Sequence, residues 1–180
     1  YLVDIPAYDA DNNRLFDDST AIPSVRKTID NFESRVIDNN YLATYFPDVV
    51  LTDPSTGQNI QVPPSVPVLG AFALNDQLAH PWFAPAGFTR GALGNVAETQ
   101  VKLNRDNMDS LYEADMNPIT AFPHTEGVVV FGQKTLLRTQ SSLDRVNVRR
   151  LLIELRRRVR RVANSFIFEP NREATLARFS

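Results

Sequence analysis

A chain of 180 residues, 43% hydrophobic and 22% charged, is long enough for one domain with a sizeable core, and no run in it approaches the roughly 20 apolar residues of a membrane-spanning helix. It has no cysteine, which excludes disulfides, thiolate metal sites and a cysteine nucleophile, and Tyr1-Leu2-Val3-Asp4 does not read as a signal peptide. The net charge of −2 conceals a polarity: residues 1–50 carry nine acids against four bases, and residues 145–180 carry ten arginines against Glu154, Glu169 and Glu173. An acidic end and a basic end suit head-to-tail association between copies, and the basic end alone would also suit a nucleic-acid-binding arm.

Taken in chain order, residues 1–20 are polar and acidic and read as an irregular segment with at most a short strand at Leu2–Pro6. Pro23 suits a first helical turn, and Val25, Ile29, Phe32 and Val36 recur at helical spacing, so a helix is expected from Pro23 to Asp38. Tyr41–Phe46 is aromatic and extended. Asp48–Thr52 and Asn59–Val62 flank Asp53-Pro54-Ser55-Thr56-Gly57, the chemistry of a hairpin turn. A helix follows over about Ser65–Gln77, then a loop over residues 80–95 punctuated by Pro81, Pro85, Gly87, Gly91 and Gly94. Asn104 is a good N-cap for a helix over Arg105–Met116, which Asn117-Pro118 is expected to end. Gly127–Phe131 reads as a short buried strand.

The clearest element comes next. Asp144 is the candidate N-cap, and Val148, Leu151, Leu152, Leu155, Val159 and Val162 form one apolar stripe on a helix reaching about Ala163. That stripe predicts a helix laid on a sheet, with Ser165–Glu169 as a following strand. A last helix, capped by Asn171, reaches Ser180, so the chain reads as truncated at its C-terminus. The alternation of strands and helices places the fold in the α/β (α+β) class: a mixed β-sheet flanked by helices in layers.

Catalytic patterns do not emerge. The histidines His80 and His124 stand far apart beside prolines and read as surface loop residues. There is no phosphate-binding glycine loop and no Gly-x-Ser-x-Gly elbow. Asp9, Asp11 and Asn13 alternate like part of a calcium loop, but the glycine is missing and Thr20 stands where the bidentate glutamate belongs. Asp17 and Asp18 favour the start of the following helix. Asp109, Glu113 and Asp115 read as water-facing. The expectation is a non-enzyme with no catalytic residues, no cofactor and no metal.

The arginine-rich helix carries the main charge feature: Arg145, Arg149, Arg150, Arg156, Arg157, Arg158, Arg160 and Arg161. Arginine pairs bidentately with carboxylates and is favoured at interfaces. The same charges could face water as a polar helix side, or meet phosphate. No aromatic stacking platform accompanies them, which argues against dedicated nucleic-acid binding.

Several stretches in order resemble the contractile (myovirus-type) phage tail sheath family. Trp82-Phe83-Ala84-Pro85-Ala86-Gly87-Phe88-Thr89-Arg90-Gly91 is similar to its Trp-x-Ala/Ser-Pro-Ala-Gly-Tyr-x-Arg-Gly signature, with Phe88 for the usual tyrosine. Val62-Pro63-Pro64-Ser65 with Val68-Leu69-Gly70, Leu111-Tyr112 with Met116-Asn117-Pro118-Ile119, and Val130-Phe131-Gly132-Gln133-Lys134-Thr135-Leu136 match further family segments. So do Asp144-Arg145-Val146-Asn147-Val148-Arg149-Arg150-Leu151 and Phe166-Ile167-Phe168-Glu169-Pro170-Asn171.

The resemblance covers about residues 41–176 and implies that residues 21–180 are a sheath-core domain, a fragment of a longer subunit. It implies structural roles for Trp82, Pro85, Gly87, Arg90, Gly91, Asn147, Arg149 and Arg150, and leaves Arg156, Arg157, Arg160 and Arg161 as candidates for a subunit or tube interface. The implied function is a virion building block, assembled in the host bacterial cytoplasm, that polymerises around an inner tube and contracts by repacking to drive the tube through a bacterial envelope. Its implied partners are copies of itself, the tail tube protein, and baseplate and tail terminator proteins, with no direct nucleic-acid contact and no membrane insertion. A phage-tail-like bacteriocin or injection particle would use the same subunit. A nucleic-acid-binding domain built on the arginine helix is the reading from a different class.

Overall fold

The computed structural model describes residues 1–17, 22–122 and 127–179. Asp18, Thr20, His124 and the last residue of the expected terminal helix lie outside them. The scaffold is a five-stranded mixed sheet in the order β1 (Leu2–Val3), β2 (Ala43–Phe46), β7 (Met116–Ala121), β8 (Val128–Val130) and β5 (Ala92–Leu93). β1, β2 and β7 run parallel, and β8 is antiparallel to both β7 and β5. A smaller antiparallel sheet, β4 (Asn59–Val62), β3 (Val49–Thr52) and β6 (Val96–Thr99), carries the expected hairpin with Val49 opposite Val62 and Thr52 opposite Asn59.

Alternation in the central strands divides the core in two. Ala43 and Tyr45 of β2, Ile119 of β7 and Val128 and Val130 of β8 pack with Val68 and Ala71 of α2 (Ser65–Leu78) and Val146 of α5 (Val146–Ala163). Phe46 of β2 and Met116 of β7 instead meet Phe32 of α1 (Val25–Glu33) and Leu111 of α4 (Arg105–Glu113). Ser24 caps α1, its hydroxyl accepting from the Lys27 N–H, and Asn104 caps α4 by accepting from the Asn107 N–H. α1 is shorter than its apolar spacing predicts: Val36 leaves the helix at φ 49° and faces water.

Four expectations are corrected. α4 stops at Glu113, and Met116-Asn117-Pro118 opens a central buried strand instead of a loop. Pro118, which has no N–H to donate, stands at the last pairing with β2, opposite Phe46, and its carbonyl accepts from the Phe131 N–H at 2.8 Å. Asp144 is not the cap of α5: it ends a 3-10 turn, Ser142–Asp144, and Arg145 takes the cap position. Ser165–Glu169 is not a strand. α5 runs into a second 3-10 turn, Asn164–Phe166, and Phe168 is 99% exposed.

Lastly, the stripe on α5 is not covered by the sheet. Leu151, Leu152, Leu155, Val159 and Val162 remain 38% to 52% exposed. Only the first turns of α5 enter the core, through Val146 and Arg149, while the rest of the apolar seam stands open among the described residues. The remaining helices are short: α3 (Gly87–Arg90) and α6 (Glu173–Phe179). No helix among the described residues is long and apolar enough to cross a membrane.

Candidate functional site

Several of the segments singled out in the sequence meet at the start of α5 and at the loop that precedes β5, whereas residues 166–171 lie largely exposed beyond the far end of α5. Asn117 is fully buried between them. Its amide donates to the carbonyls of Thr44 and Lys134, both at 2.9 Å, and its side-chain oxygen accepts from the Lys134 N–H at 2.6 Å. One side chain thus joins β2, β7 and the segment after β8. Gly132 makes room for it, since a Cβ there would stand 2.7 Å from the Asn117 Oδ1.

The chain then straps α5 in place. Thr135 N–H donates to the Asp144 carbonyl and Val146 N–H to the Gln133 carbonyl, each at 2.8 Å, and the Thr135 hydroxyl donates to the Leu143 carbonyl at 2.9 Å. Lys134 reaches back to Asp115 at 3.0 Å and lies over the Tyr112 ring. Arg145 donates to the Tyr112 hydroxyl at 2.6 Å, a bond that raises its already high pKa.

The Trp82–Gly91 loop is pinned at several points. Buried Asn75 donates to the carbonyls of His80 and Phe83. Pro85 is buried, and Arg90 donates to the Ala84 carbonyl at 3.1 Å while its guanidinium lies 5.1 Å over the Phe83 ring. Gly87 begins α3 at φ 81°, a conformation that favours glycine. Gly91 presses against β8: a Cβ there would meet the Val130 carbonyl at 2.7 Å, and the Val130 N–H donates to the Gly91 carbonyl at 2.8 Å. Trp82 is half-buried. It is stacked between exposed His80, at 4.5 Å, and the guanidinium of Arg158, at 5.4 Å.

The arginines of α5 fall into three groups. Arg149 and Arg150 serve the fold: Arg149 is 9% exposed and lies 4.1 Å over the Tyr41 ring, while Arg150 donates to both oxygens of Asp76 at 2.6 Å. Asn147, beside them, lies half-buried in the first turn of the helix. Arg157 and Arg158 enclose Glu154, with contacts of 2.9 and 2.8 Å. The hydrogen bonds from Arg157 and Arg158 hold the Glu154 carboxyl down at about 2. Glu154 owes its low exposure to those two guanidiniums laid over it, not to the core.

Arg156, Arg160 and Arg161 are exposed and make no ion pair among the described residues. Of the four interface candidates, Arg157 is therefore engaged within its own helix and three are free. Sequence reasoning missed Glu154, the acid that divides them, although its i+3 and i+4 spacing to Arg157 and Arg158 was visible.

No cluster of three or more metal-ligating side chains occurs among the described residues. Asp9 spends its carboxylate on the N–H groups of Asp11 and Asn13 in its own turn. A surface depression is lined by Glu33, Glu113 and Asp115, but Asp115 is tied to Lys134 and both glutamates are exposed. What the geometry offers is a rigid, buried polar anchor beneath an open apolar and basic helix, which is equipment for packing against another surface.

The comparisons fit that equipment. No protein-family model matches the chain. It is 37% identical over 144 residues, 80% of its length, to the tail sheath protein of Vibrio phage KVP40, and 33% identical over 121 residues, 67% of its length, to that of Enterobacteria phage T4. This chain belongs to the contractile tail sheath family. It spans about a fifth of the length of these curated relatives, 20% and 18% respectively. Its fold is shared with the sheath complex of an extracellular contractile injection system, PVC, in the contracted state. There the TM-score is 0.71 at 26% identity, covering 88% of this chain and 42% of that one.

Proposed function

We propose that this chain is the core part of a contractile tail sheath subunit. Copies polymerise around an inner tube, and contraction changes their packing and drives the tube through a bacterial envelope. The observation that carries the reading is the fold shared with a sheath in its contracted state. The work would come from a difference in interface free energy between two packings, with no nucleotide or catalytic step, so the protein acts as a structural element and not as an enzyme.

In this reading residues 21–180 form the sheath-core unit and the first 20 residues lead into it. Arg156, Arg160 and Arg161 face an acidic surface on a neighbouring subunit or the tube. Trp82, Pro85, Gly87, Arg90, Gly91, Asn147, Arg149 and Arg150 keep the unit rigid. The partners are copies of the subunit, the tail tube, and baseplate and tail terminator proteins, and the place of action is the virion tail, assembled in the host cytoplasm. The likeness to an injection-system sheath favours one second reading, the sheath of a bacteriocin or injection particle working by the same repacking.

The test is negative-stain electron microscopy of the sheath subunit that carries this sequence, expressed with and without its tube protein. Hollow tubes of regular diameter are expected. Monodisperse particles under both conditions would remove the polymerising role.

A further inference from the structure

Between α2, α5 and the N-terminal ends of β1 and β2 lies a groove of about 240 Å³, whose lining includes Tyr41, Leu69, Phe72, Arg149, Arg150 and Ile153. Its walls are mainly apolar, and Leu69 and Ile153 present exposed aliphatic surface to it. Its charge is one-sided. Among the described residues no aspartate or glutamate lines it, whereas two guanidiniums do.

Arg150 is already matched by Asp76, though its Nη1 is buried without a partner. Arg149 is different. It is 9% exposed, its Nε is buried without a hydrogen-bond partner, and its nearest compensation is the face of the Tyr41 ring. A ring face offsets only part of what a guanidinium loses on leaving water, and buried charges are as a rule paired. The position is complementary to an anion.

The surroundings narrow its kind. A bare inorganic anion would find one unmatched guanidinium and apolar walls that cannot hydrate it. A carboxylate on an apolar body would pair with Arg149 and bury that body against Leu69, Phe72 and Ile153. We infer that the groove between α2 and α5 is a docking site for an acidic, apolar peptide segment of a second polypeptide, one carboxylate of which pairs with Arg149. The observation is independent of the sheath reading, since it rests on the groove and its unpaired charge alone.

The experiment is a titration of the 180-residue chain with a capped pentapeptide, Ala-Leu-Glu-Leu-Ala, and with its counterpart carrying glutamine at the centre. Binding is followed through the Arg149 Nε–H signal by proton–nitrogen NMR. The glutamate peptide should move that signal saturably and bind about tenfold or more tighter than the glutamine peptide, the discrimination expected of a charge-assisted hydrogen bond. Arg149→Met should erase the discrimination. Leu69→Ser, at an exposed wall position that leaves the fold intact, should weaken the glutamate peptide in a protein that keeps Arg149. Equal affinity for the two peptides would reduce the groove to an apolar patch. Failure of the glutamate peptide to bind, or an unmoved Arg149 signal, would overturn the site. Hexanoate binding as tightly as the glutamate peptide would overturn the peptide occupant in favour of a small carboxylate.

Discussion

Removing the Asn117 side chain would leave the part-buried Lys134 N–H without its acceptor and take a donor from the carbonyls of Thr44 and Lys134. Unmatched polar groups of this kind cost more than the bond itself, because water cannot replace the lost partner. Asn117→Ala is therefore expected to destabilise the fold by about 2–4 kcal/mol, read from chemical denaturation. Gly132→Ala tests the same anchor from the other side. Its Cβ would meet Asn117 Oδ1 at 2.7 Å, and backbone and side chain must both give. A loss of about 1–3 kcal/mol is expected, as for other overpacked sites. If both variants unfold with the wild type, Asn117 does not join the strands as described. The motif around Asn117 was legible in the sequence, but the reason for it was not, because its partners Thr44 and Lys134 lie far away along the chain.

Among the elements, the β3–β4 hairpin was readable because its determinants are local. Asp53 accepts from the Ser55 hydroxyl and N–H and from the Thr56 hydroxyl, which hold its carboxyl down at about 2. A depressed carboxyl stabilises the folded state above its unfolded pKa of about 4, and that contribution is lost as pH falls toward about 2. NMR titration should place the Asp53 midpoint near the low end of that window. A midpoint at the ordinary aspartate value would mean the turn is open in solution.

β7 and α5 were read less well, for a different reason. Asn117-Pro118 is a good helix stop by local rules, but burial between β2 and β8 decides its state. Ser165–Glu169 has strand composition, but no strand among the described residues is paired with it, and the chain turns instead. The α5 stripe has the right period for burial, yet periodicity cannot say what covers it. Leu155→Lys separates the two meanings. With the seam open, the substitution should change the stability of the isolated chain by no more than about 0.5 kcal/mol, the range of ordinary surface positions. A loss of several kcal/mol on thermal or denaturant unfolding would show that the seam is buried in the chain itself.

At the scale of the whole molecule, the polarity read from the sequence survives folding in a reduced form. Arg145, Arg150, Arg157 and Arg158 are taken up by Tyr112, Asp76 and Glu154, Arg149 lies over the Tyr41 ring with its Nε unpartnered, and Arg156, Arg160 and Arg161 stand beside the open seam of α5. This alters how the proposed interface must be tested. Reversing Arg157 would place a second carboxylate next to Glu154 and disturb Arg158 with it, so any effect would mix local repulsion with lost assembly. Arg156→Glu with Arg160→Glu avoids that pair. An exposed ion pair contributes about 0–1 kcal/mol, too little to matter for one fold but enough to bias a lattice in which it repeats. The double variant should keep the wild-type circular dichroism and melting curve, because neither side chain is in an ion pair among the described residues. In the sheath subunit it should form fewer tubes at low salt, and the residual assembly should depend less on ionic strength, since the screened attraction has been removed. Wild-type tube yield with an unchanged salt response would return these arginines to the role of a solvated helix face.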